Sequence, residues 1–225
     1  LRLTASNAPA LARAFLDLHR AYRQTHERLA SLDEALGRED ARIQPSPWEE
    51  VRDFFHYCDN YIDAVDRAAE RFAGDAKGSI HAHAIARLEA YGVTLRRSGD
   101  PALRSYEPES KILTLSAHLP EPTATFQFLV QLALLTQNDL LDATLDFAKF
   151  HSPAARDIAK LGLANYYAGA SLMPYGAFLS AAQDLRHDLE KLTGKFGASI
   201  EQVAHRLSTL QRSGQKGLPF FFVRV

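Results

Sequence analysis

Two stretches of this chain are apolar on every side: residues 126–135 (FQFLVQLALL) and residues 163–175 (LANYYAGASLMPY). A helix with no polar face lies inside a domain instead of along its surface, so these two predict a central helical pair. In the first, only Gln127 and Gln131 are polar, and their i, i+4 spacing puts both amides on one side. In the second, Gly162, Ala164, Ala168, Gly169 and Ala170 are small enough to admit a neighbouring backbone, while Asn165, Tyr166 and Tyr167 supply polar tips. Buried amides and phenols need partners, so the seam is either a hydrogen-bonded structural cluster or a site.

Upstream, Leu11, Phe15, Leu18, Tyr22, Thr25, Leu29, Leu32 and Leu36 step by alternating fours and threes, a heptad seam. It suits a homodimer or a helical hairpin in cis. After a polar loop, Ser46 and Glu49 predict a capping box, with Pro47 in the first turn, that opens a long helix with Val51, Phe55, Cys58, Ile62, Val65, Ala69 and Phe72 facing inward. Arg52, His56, Tyr57 and Tyr61 fall off that stripe, as solvated surface or as a row able to hold phosphate and stack on a base. A short helix over residues 80–91 ends at Gly92, and His81 and His83, two apart, point to different faces. Strands are expected at residues 93–97, 103–106 and 111–116, followed by the first central helix, a helix over residues 138–150, and the second central helix after Pro153.

The last block, FGASIEQVAHRLSTL, has the turn and helix of a helix-turn-helix, with His205 and Arg206 available for bases. Against that reading, Ile200, Val203, Leu207 and Leu210 require a core. Residues 220–225 predict a strand joining the small sheet. With 26 basic and 27 acidic residues and a net charge of -1, nothing global favours nucleic acid. The single cysteine, Cys58, excludes an internal disulfide. There is no signal peptide and no apolar run of about 18 residues, so a soluble, cytoplasmic chain without a membrane partner is expected. Starting at Leu1 and stopping at Val225, directly after an apolar strand, it reads as a fragment.

The run ANYYAGASLMP resembles the helix that closes the active site in metallopeptidases of the ImmA/IrrE type, and FQFLVQLALL stands where those carry His-Glu-x-x-His. In that motif two histidines hold zinc and the glutamate is the general base. Here the positions are Val130, Gln131 and Leu134, and the third ligand, an acid, is replaced among Leu161, Gly162 and Leu163. The resemblance therefore implies a peptidase fold without catalytic residues or metal. The segments PWEEVRDFFHYCDNYIDAVDRAAE, LANYYAGASLMPY and FGASIEQVAHRLSTLQRSGQKGLPFFFVRV look more closely like the middle domain of the bacterial short-chain fatty acyl transcriptional regulators, from about Ser46 onward. That resemblance implies a DNA-binding helix-turn-helix before this region and a cysteine-containing domain after it, neither within these residues. It also implies an acyl-CoA effector, such as propionyl- or acetyl-CoA, that controls genes of short-chain fatty acid metabolism.

The expected fold is α+β, mostly helical with a small β-sheet: a degenerate metallopeptidase-like domain over residues 46–225, preceded by a helical dimerisation segment over residues 1–45. An acyl-CoA needs cations for its phosphates, rings for adenine and a narrow apolar slot for the acyl end. Arg52, Arg87, Lys111, Arg206 and Arg224 are the candidate cations. Tyr57, Tyr61, Tyr166 and Tyr175 are the candidate rings, with Gln131 and Asn165 placed to hold the thioester or pantetheine amides. The alternative is a ligand-free dimerisation module that spaces two DNA-binding domains.

Overall fold

The computed structural model describes residues 46–99 and 102–220. The heptad seam, Arg224 and the strand expected over residues 220–225 lie outside them, apart from Phe220, which packs without strand structure against the helices of the C-terminal half.

The capping box forms as the sequence predicts. Ser46 N donates to Glu49 Oε2 at 2.7 Å and Glu49 N to Ser46 Oγ at 3.4 Å, opening helix α1, Pro47–Tyr57. The single long helix does not form. Asp59 and Asn60 adopt left-handed conformations with φ of 51° and 56°, which Asp and Asn tolerate better than most residues, and Asn60 N closes the turn on Phe55 O at 2.8 Å. A second helix, α2, then runs Asp63–Gly74. The periodicity continued through the break because Cys58 and Ile62 still pack inward on either side of it.

Helix α3, Ile80–Ala90, ends as expected, with Gly92 at φ 78°. Strands β1 (Thr94–Ser98), β2 (Arg104–Glu107) and β3 (Ile112–Ser116) follow. β3 is central, parallel to β1 and antiparallel to β2. Its Leu113 and Leu115 point into the core.

Helix α4, Glu121–Thr136, and helix α6, Pro153–Leu172, are the central pair, with the short α5 (Asn138–Asp146) between them. α6 is the hub: α1, α2, α4 and α5 all pack on it. Glu50 secures its start, taking His151 N at 2.6 Å and Ser152 Oγ at 3.2 Å, while Ser152 Oγ caps the helix by accepting from Ala155 N. Residues 163–175 are not one helix. Pro174 interrupts them, since it has no N–H to continue the ladder, and Tyr175 opens helix α7, Tyr175–Asp184.

Helix α8 (Leu189–Phe196) ends at the left-handed Gly197, and Ser199 and Gln202 build a second capping box for α9, Ile200–Ser208. Val203, Leu207 and Leu210 join Met173, Phe178 and Leu192 in a second core, as the sequence requires. Ile200 does not; it is half exposed. Among the described residues, no helix is long and apolar enough to cross a membrane.

Candidate functional site

A cleft of about 630 Å³ opens beside the hub helix, between the last turn of α1, the first half of α4, the middle of α6 and the exposed side of α9. Its apolar floor includes Phe55, Phe126, Gly162, Gly169 and Ala170. Its rim carries Arg52, His56, Asn60, Gln127, Asn165, Ser199, Glu201, Gln202 and His205. The break after α1 matters here, because the turn at Asp59 and Asn60 delivers Asn60 to the cleft wall.

Beneath the floor lies a buried ionic cluster. Asp66, fully buried on α2, accepts from Arg206 Nη1 at 2.6 Å, Arg206 Nη2 at 3.2 Å, Arg212 Nη2 at 3.2 Å and Tyr166 OH at 2.7 Å. Arg206 also donates through Nε to the Met173 carbonyl at 2.8 Å, a group exposed by the break between α6 and α7. Arg212 donates to Glu70 Oε2 at 2.6 Å and to Tyr61 OH at 2.7 Å, and its guanidinium lies 4.0 Å from the centre of the Tyr175 ring. Burial opposes the Arg206 charge, but Asp66 outweighs it and holds the pKa above its ordinary value. Burial, reinforced by Asp66, pushes the Tyr166 phenol well up.

Of the residues singled out from sequence, Arg52, Asn165, Tyr166 and Arg206 border the cleft. Of these, Arg52 carries an exposed guanidinium, paired among the described residues with its neighbour Asp53 at 3.1 Å. Arg206 is not available to bases or phosphates, since Asp66, Met173 O and Thr209 take up its donors. Tyr61 and Tyr175 serve the ionic cluster as Arg212 partners instead of facing the cleft. Tyr57 points to solvent at 92% exposure, and Arg87 on α3 and Lys111 at the β2–β3 turn lie away from the cleft. Gln131 is buried in the core, and the amide that reaches the cleft is Gln127, one turn earlier. Sequence reasoning missed Asp66 and Arg212. The available signal was an acid at position 66 beside Val65 and Ala69 on an otherwise apolar stripe, which demands a buried cation.

The positions of the peptidase motif do not fit a zinc ion. Val130 is 1% exposed and Gln131 4%, Leu134 packs against the core, and none of the three carries an imidazole or a carboxylate. Among the described residues, no group of three or more His, Cys, Asp or Glu side chains is placed to hold a metal.

A helical hub with an adjacent small sheet, a cleft beside it and apolar groups at the metal positions defines a metallopeptidase-type domain whose motif positions lack metal ligands. The chain belongs to the IrrE N-terminal-like domain family, whose model matches residues 89–208. It is 67% identical to a propionyl-CoA carboxylase regulator of Cereibacter sphaeroides, over all of this chain and 49% of that protein. It is 40% identical to the HTH-type transcriptional regulator RamB of Mycobacterium tuberculosis, over 96% of this chain and 48% of that one. A solved Mycobacterium tuberculosis transcriptional regulator superposes with a TM-score of 0.73 at 40% identity, over 77% of this chain and 55% of that one. The chain thus spans about half the length of the curated relatives it matches. The α1 wall of the cleft lies outside the family match and inside the similarity to these regulators.

Proposed function

We propose that this chain is the sensing part of a cytoplasmic bacterial transcriptional regulator, and that its cleft takes a short-chain acyl-CoA. The observation that carries this reading is the cleft itself: it stands beside the helix that holds zinc in the peptidases, but its floor is largely apolar and its rim carries amides, hydroxyls, imidazoles, the exposed Arg52 guanidinium on α1 and the Glu201 carboxylate on α9. That composition suits an amide-rich ligand with an anionic end and a short apolar end. The volume falls within the roughly 300–1,000 Å³ of small-molecule sites. The names of the regulators it resembles support the same class, one of them a regulator of propionyl-CoA carboxylase. In this reading, DNA contact belongs to a helix-turn-helix domain outside these residues, and residues 1–45 join two copies.

Calorimetry with free CoA, acetyl-CoA and propionyl-CoA tests it. Saturable binding is expected, and a ligand at 100 times its dissociation constant stabilises the fold by about 2.7 kcal/mol in a thermal melt. If all three leave the melt unmoved and give no heat, the chain is a spacer module and the sensing reading is wrong.

A further inference from the structure

The Phe55 ring lies directly against Gly162. A Cβ built on Gly162 would stand 3.0 Å from Phe55 Cε2 and 3.1 Å from Cζ, closer than ordinary van der Waals contact, so the ring closes over the glycine with no room for a side chain. Phe55 is held there from two sides. Phe54 meets it edge-on with centroids 5.2 Å apart, and its carbonyl is tied to Asn60 N at 2.8 Å. Two turns along the same face of α6, Gly169 has nothing within 4 Å of its Cβ position, and Ala170 beside it keeps the wall low. At 1.5 Å per residue these two glycines are roughly 10 Å apart. The cleft floor along α6 is thus a lane that runs from the uncovered Gly169, past Asn165 and Tyr166, to Gly162, where the Phe55 ring covers the helix.

Resting on the acyl-CoA reading, we infer that Phe55 and Gly162 together set the length of acyl chain that the cleft accepts. The acyl terminus is the part of an acyl-CoA that suits the apolar Phe55–Gly162 end of this lane, because the other end of the molecule carries phosphates that must stay at the wet rim. The ring edge is the stop. Gly162 lies among the positions where the peptidase resemblance has an acid ligand, so a hydrocarbon stop occupies ground that metal chemistry would need.

The test is calorimetry of the intact chain with free CoA and with acetyl-, propionyl-, butyryl- and hexanoyl-CoA, for wild type, Phe55→Ala, Phe55→Leu and Gly162→Ala. Each methylene accommodated adds about fourfold in affinity, so Phe55→Ala raises the ratio of hexanoyl-CoA to propionyl-CoA affinity by about tenfold or more. Phe55→Leu, which keeps an apolar filler and serves where the alanine variant melts early, raises it less. Gly162→Ala pushes the ring into the lane and shifts the preference from propionyl- toward acetyl-CoA. If wild type binds the series and the ratios stay fixed in every variant, Phe55 is not the stop, and the acyl-CoA reading stands without it. Wild type that binds none of the series overturns both.

Discussion

Arg206 and Asp66, 140 residues apart in the chain, meet in a buried two-point ion pair of 2.6 and 3.2 Å that fastens α9 to α2 beneath the cleft. A pair out of water repays its desolvation only when its remaining donors and acceptors are also satisfied. Here they are, by Met173 O, Thr209, Tyr166 and Arg212. Removing one partner strands the other, so Arg206→Ala is expected to cost about 3–5 kcal/mol in urea unfolding. Arg52→Ala, which breaks an exposed pair between neighbours, costs at most about 1 kcal/mol. Equal losses for the two variants would contradict the pairing described.

Glu50 makes the fold sensitive to acid. The His151 amide, helped by Ser152 and opposed by burial, holds its carboxyl below the ordinary 4.5. A carboxyl whose folded pKa is depressed contributes stability above its unfolded pKa and loses it as pH falls through the folded value. Unfolding midpoints are therefore expected to decline below about pH 4.5, and Glu50→Gln is expected to be less stable at pH 7 but to show a shallower decline over that window. Parallel pH profiles for the two proteins would remove Glu50 from the account.

Local signals carried much of this fold. The Ser46 and Glu49 capping box, the turn at Gly92 and the three strands are all written within a few residues of where they occur. What failed to show in sequence depends on distant packing. Asp59 and Asn60 do not break a hydrophobic period by their composition, and their left-handed turn is visible only in the backbone. Arg206, beside His205 in the last turn of an amphipathic helix, has the pattern of a surface residue until Asp66 is brought to it from α2. The cleft was legible as a polar seam along the central pair, but not which turn of α4 it touches, because α1 and α9 decide that.

The purified chain is expected to hold no stoichiometric zinc, since Val130 and Leu134 offer no donor and Gln131 only a neutral amide. Elemental analysis gives a direct answer, and one zinc per chain would place metal ligands outside the motif positions.

The heptad residues from Leu11 to Leu36 predict a dimer. Light scattering at micromolar concentration is expected to give twice the chain mass for wild type and the chain mass for Leu18→Lys combined with Leu29→Lys. A wild-type monomer would favour the helical hairpin in cis.

Gln127 and Gln131 lie one turn apart on the same side of α4, yet Gln127 borders the cleft and Gln131 is 4% exposed in the core. Tryptophan substitution separates them. At position 131 the ring must force its way between packed side chains, and overpacking of this kind costs about 1–3 kcal/mol, so Gln131→Trp is expected to lower the melting temperature. At position 127 the ring has the open cleft to enter. Gln127→Trp is therefore expected to melt close to wild type and to lose at least tenfold in affinity for propionyl-CoA. The melt alone locates the cleft whether or not the ligand has been identified correctly. If Gln131→Trp melts like wild type and Gln127→Trp melts early, the cleft borders the other turn of α4, and the floor described here belongs to the core.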